Sequence, residues 1–77
     1  MVCGLDGLRP GAAAVVMEVH GSIGLLDRLK DFAFVPGTRV KCLYAGPGGK
    51  VKAMACRGSV IALRTRDIGK ILVRCDG

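Results

Sequence analysis

The segment Arg28-Leu29-Lys30-Asp31-Phe32-Ala33-Phe34-Val35-Pro36-Gly37-Thr38 constrains this chain most. It reads as the last turns of an amphipathic helix, a proline–glycine turn and the start of a β-strand. Pro36 fixes its own φ and Gly37 admits a positive one, so Val35-Pro36-Gly37-Thr38 fits a type II turn. A helix delivered by so tight a turn into a strand implies a compact barrel with the helix on its side. Arg57-Gly58-Ser59-Val60-Ile61-Ala62-Leu63-Arg64 supplies a hairpin partner.

The rest of the chain fits the same plan. With 77 residues it is expected to form one domain over 1–77 with a single small core. Strands are expected at Ala12–His20, Thr38–Ala45, Lys50–Arg57, Ser59–Arg64 and Lys70–Cys75. In the first, Val15, Met17 and Val19 share one side, and Val16, Glu18 and His20 the other. In the second, Val40, Cys42 and Tyr44 share a face. Ser22 can cap a helix from Ile23 to Phe32, with Leu25, Leu26, Leu29 and Phe32 as its apolar stripe. Gly46-Pro47-Gly48-Gly49 is a loop, and Thr65 to Gly69 one short helical turn capped by Thr65. The fold class is therefore mainly β, a small barrel of about five strands with one α-helix and a short helical turn.

Composition narrows the function classes. A catalytic pocket of roughly 300 Å³ or more would take much of so small a core, which disfavours an enzyme. Twelve Lys and Arg face six Asp and Glu, for a formal charge of +6. Such a field attracts nucleic acid, an anionic membrane surface or an acidic protein. Two Phe, one Tyr and no Trp offer few stacking platforms for single strands, so no specific nucleic acid is expected. A basic small-barrel nucleic-acid-binding protein remains the alternative function. No apolar run approaches the ~18 residues of a membrane span, so membrane insertion is not expected. With no signal peptide, the chain is expected in the cytoplasm.

Cys3, Cys42, Cys56 and Cys75 contain no C-x-x-C pair, and His20 is the only histidine. Zinc-ribbon spacing is thus absent. Cys42 and Cys56 fall at apolar strand positions, where cysteine acts as a small hydrophobe. Reduced thiols are the expectation. Met54 with Cys42 and Cys56 is the one soft-metal set worth testing, but core packing explains it better. No metal, cofactor or catalytic residue is expected. Ser22 has no His or Asp beside it for nucleophilic chemistry, and Gly46 to Gly49 lacks the spacing of a phosphate-binding loop.

Over Leu5 to Val73 the chain resembles the ferrous iron transport protein A family, whose FeoA-like domains are small SH3-like barrels of bacterial iron uptake. The resemblance rests on Arg28, Leu29, Phe34, Pro36 and Gly37, then Pro47 and Gly49. It continues with Gly58, Ile61, Ala62, Leu63 and Arg64, and ends with Ile71 and Val73. The chain departs from the pattern at Ala33, where the family has glycine, and at Lys50-Val51, where it has Asp-Pro. The resemblance implies an SH3-like barrel that acts as a cytosolic accessory, at the inner membrane face through its partner. That partner is the ferrous iron transporter, a membrane protein with a cytosolic GTP-binding domain. The residues offered for docking are Ile23 and Leu26, at the edge of the helix stripe, with Arg28 and Lys30 beside them.

Overall fold

Strand alternation decides which residues meet in the core, and two of the strands depart from the alternation read from the sequence. The computed structural model describes residues 1–32 and 34–75. Six strands appear there: β1 (Val2–Gly4), β2 (Ala13–Glu18), β3 (Arg39–Ala45), β4 (Val51–Cys56), β5 (Ser59–Arg64) and β6 (Leu72–Cys75). One helix, α1 (Ile23–Asp31), joins β2 to β3. Short 3-10 turns occupy Leu5–Gly7, Pro47–Gly49 and Thr65–Asp67. All pairings are antiparallel, in the order β1-β6-β2-β3-β4-β5. The extra strand is β1. Three residues are too few to show a period of two, and β1 exists only because β6 returns beside it.

The inward side of β2 is the reverse of the one expected. Ala14 and Val16 are buried, and they pair with Val40 of β3 and Val73 of β6, both also buried. Met17 is 42% exposed. With Ala14 and Val16 inward, alternation itself turns Met17 outward, and the register slip between Val16 and Glu18 keeps Glu18 from following Val16 into the core. A second slip lies between Cys42 and Tyr44 of β3. Val40 and Cys42 stay in the core, while Tyr44 leaves their face and is 60% exposed. A bulge adds one residue to one strand, so no count of alternate positions could reveal it.

Helix α1 forms where its cap allows. Ser22 Oγ accepts a hydrogen bond from the Leu25 amide at 3.2 Å, satisfying one of the orphan amides of the first turn. The helix stops one residue early, with Phe32 as its C-cap. The Phe34 amide then reaches back to the Leu29 carbonyl at 2.8 Å. Leu29 is fully buried, with Leu25 and Phe32 packed against the same core, so three of the four stripe residues meet it. Leu26 is half-buried. Ala33 lies outside the described residues, and so does the question of its φ. In the turn that follows, Gly37 has φ +92°, and the Thr38 amide donates to the Val35 carbonyl at 3.1 Å, as type II requires.

Two details set the rim. The β4–β5 hairpin turns through Arg57 and Gly58 at φ +50° and +82°, the two-residue turn whose twist matches antiparallel strands. Arg57 is the one described non-glycine residue with positive φ. Across the barrel, Lys52 of β4 reaches the turn after β1, donating to the carbonyls of Asp6 and, at 3.0 Å, Leu8. Thr65 does not cap its turn. Its hydroxyl donates to the Lys50 carbonyl at 3.1 Å, tying that turn to the start of β4.

Two substitutions test these details by denaturant titration. Lys52→Met should lower stability by about 1–2 kcal/mol, because two carbonyls lose a charged donor. Arg57→Asn should raise stability by up to about 1 kcal/mol, because asparagine tolerates the left-handed region better than arginine. A loss with Arg57→Asn would mean that the arginine side chain itself stabilises the hairpin.

Candidate docking surface

The turn at Thr65–Asp67 brings a row of cations against the side of α1. A groove of about 680 Å³ runs between them, lined by Ser22, Gly24, Leu25, Arg28, Arg66, Asp67, Gly69 and Lys70. A neighbouring groove of about 360 Å³ shares Leu25, Arg28 and Asp67 and adds the β5 residues Ala62, Leu63 and Arg64. A third, of about 430 Å³, is bounded by Lys50, Val51, Arg64, Thr65 and Arg66. All three are surface features outside the packed core. Arg28, Lys50, Arg64, Arg66 and Lys70 line them, with Asp67 as the only carboxylate. Arg66 Nε lies 4.0 Å from Asp67 Oδ1, a surface contact of little energetic weight. The surface therefore keeps a positive field over an apolar floor of Leu25 and Leu63.

The sequence-predicted docking residues divide between two sides of α1. At 100° per residue, Ile23, Leu26 and Lys30 fall within about 60° of one another on the outer face. Ile23 is 80% exposed and Lys30 is exposed. Arg28 projects to the other side, where it lines the basic groove with Leu25. Arg64, Arg66 and Lys70 were missed. Their available signal was a cation on either side of, and within, a short helical turn. Its position against α1 is set by long-range packing, with Ile68 fully buried just behind it.

The other candidates resolve into packing. Cys42 and Met54 face each other across β3 and β4, and both are fully buried. Cys42 donates to the Tyr44 carbonyl at 3.8 Å, and Cys56 to the Phe32 carbonyl at 3.6 Å. Burial pushes both thiols above their ordinary pKa, only partly opposed by Lys52 and Arg57 respectively. Both are therefore thiols at neutral pH. No group of three or more His, Cys, Asp or Glu side chains able to hold a metal occurs among the described residues. His20 is exposed, with Nε2 3.5 Å from Glu18 Oε2. No described helix is long and apolar enough to cross a membrane.

Comparison with known proteins agrees with this geometry. A family model described as the FeoA domain matches residues 3–75. A FeoA protein from Chlorobium tepidum is 27% identical, with a TM-score of 0.89, covering 96% of this chain and 70% of its own. FeoA from Stenotrophomonas maltophilia, solved with zinc, is 26% identical with a TM-score of 0.73, over 91% of this chain and 87% of its own. It is described as a procaryotic SH3 domain protein and put forward as a bacterial ferrous iron transport activating factor. The crystal structure of an iron uptake regulatory protein, FeoA, shares the fold at 24% identity and a TM-score of 0.85, over 99% of this chain and all of its own. No curated protein is similar enough to this chain to match it. The SH3-like barrel expected from the sequence is thus the fold observed.

The basic surface has one consequence that needs no partner protein. Tyr44 is the one large aromatic among the described residues that is mostly exposed, since Phe34 is buried and Phe32 half-buried. Single-stranded nucleic acid should bind weakly and lose its affinity steeply between low and physiological salt. Fluorescence titration at the two salt concentrations checks this. Tight binding that survives salt would favour the nucleic-acid reading.

Proposed function

The chain belongs to the FeoA domain family, and from that premise we propose that it is a small cytoplasmic accessory of ferrous iron uptake. Its partner is the membrane transporter that moves ferrous iron, and its contact is with that transporter's cytosolic, GTP-binding part. The chain binds and supports activity; it carries out no chemistry of its own. The observation that carries this reading is the positively charged groove between α1 and the Thr65–Asp67 turn, with an unpartnered Ile23 on the adjoining first turn of α1. A binding surface of this kind needs an apolar anchor and a polar rim, and both are present. The proposed contact residues are Ile23, Leu26, Arg28 and Lys30, joined by Arg66 and Lys70.

The division of those residues between two sides of α1 makes the test specific. Ile23→Glu should change stability by less than about 0.5 kcal/mol, as surface substitutions do. Arg28→Glu should be similarly mild. Both should weaken association with the transporter's cytosolic part and reduce ferrous iron uptake. Leu29→Ala, by contrast, should cost roughly 2–5 kcal/mol as a core truncation. Stability and pull-down measured on all three separate docking from folding. If Ile23→Glu alone is harmless, the contact lies in the groove. If both charge reversals leave association and uptake normal, α1 is not the docking element.

A further inference from the structure

The cysteines at positions 3 and 75 are far apart in sequence and adjacent in the fold. Cys3 lies opposite Val73 in the β1–β6 ladder, and Cys75 follows two residues later, on the same face. The two sulfurs are 2.7 Å apart, well inside the van der Waals contact of two sulfur atoms. Each residue is half-buried against the core, so a small reagent can reach the pair. Cys42 and Cys56, at 0% and 2% exposure, are shielded. None of the four is in a disulfide here.

We propose that Cys3 and Cys75 form a reversible dithiol–disulfide site that takes a low-molecular-weight disulfide of the glutathione class as oxidant and, once oxidised, staples β1 to β6. The hydrogen bond with Cys75, followed by burial, holds the Cys3 thiol above its ordinary pKa, so the reduced pair persists as thiols until an oxidant arrives. One thiol then gives its proton to solvent and attacks a sulfur of the oxidant. The oxidant's S–S bond breaks, and one thiolate leaves and is protonated. The second cysteine loses its proton and attacks the protein sulfur of the mixed disulfide, expelling the other thiolate. Two protein thiols are oxidised by two electrons, and one small disulfide is reduced to two thiols. An excess of the reduced small thiol drives the steps backwards.

The consequence follows from the topology. β1 has three residues and pairs only with β6, so it is the least supported strand of the sheet. A bond from Cys3 to Cys75 closes a loop over nearly all the described residues, which is where a cross-link constrains the unfolded chain most. A soft metal ion is the poorer occupant, because among the described residues no third His, Cys, Asp or Glu ligand joins the pair.

The test treats the full reduced chain with oxidised glutathione, then alkylates it under denaturing conditions. The expected product is a monomer lighter by about 2 Da before alkylation, with a peptide link between Cys3 and Cys75 and alkylation only at Cys42 and Cys56. Its Tm should exceed that of the reduced protein by at least about 8 °C, and reduced glutathione should reverse the change. Cys75→Ser should instead keep one glutathione on Cys3 and show no gain in Tm. Failure to react, a glutathione adduct that never closes, a link through Cys42 or Cys56, or a disulfide between two chains would each overturn the proposal. So would an undiminished gain in Tm with Cys75→Ser.

Discussion

The pairing of β6 between β1 and β2 is the constraint on which the rest of the structure depends. Val73 is fully buried and faces Cys3 on one side and Val16 on the other. Neither neighbour is close to it in sequence. Without β6, β1 has no partner and β2 loses one of its two ladders. Ile68 and Ile71, both fully buried, anchor the segment that leads into β6. The Leu5 amide donates to the Ile71 carbonyl at 2.7 Å, fixing the turn after β1 against that same segment. The two halves of the chain thus meet at the core through contacts of long sequence separation, whose loop-closure entropy must be met before they stabilise anything.

The same arrangement sets where the surface can carry function. The segment ending in Ile68 and Ile71 must bury those two side chains, which leaves Arg66, Asp67 and Lys70 facing outward beside α1. Leu29 fixes α1 from beneath, so the distance between the helix and the basic turn is a property of the core rather than of the groove itself. An exposed groove whose walls are each held by a buried anchor needs little reorganisation on binding. Pre-formed walls lower the ordering cost that any partner must meet.

The legible parts of this fold were those governed by local rules. Ser22, Leu25, Leu29 and Phe32 specified α1 through a cap and a stripe, and Pro36-Gly37 specified its exit. Ser59–Arg64 was read with its observed bounds, because glycine marks one end and a helical turn the other. The parts that were not legible depend on distant partners. β1 is a strand only because of β6. Tyr44 faces outward because β3 slips register against β4, and Met17 because the pairing of Ala14 with Val40 and Val16 with Val73 decides which side of β2 turns inward. Around the candidate site, the exposure of Ile23 follows from the helical period alone, while the position of Arg66 and Lys70 beside α1 required the docking of their turn.

Cysteine placement carries the same lesson in chemical form. Cys42 and Cys56 sit on central strands, where alternation points them inward, and each donates to a nearby carbonyl. A buried thiol so placed is inert, since burial disfavours the thiolate and closes the path to any reagent. Cys3 lies on the edge strand β1 and Cys75 at the end of its neighbour β6, and both residues are only half-buried. The core therefore uses cysteine as a small hydrophobe, while the β1–β6 seam holds two thiols in mutual contact. How far each thiol is exposed follows from the strand it occupies, and for Cys3 and Cys75 that placement depends on the insertion of β6 beside β1.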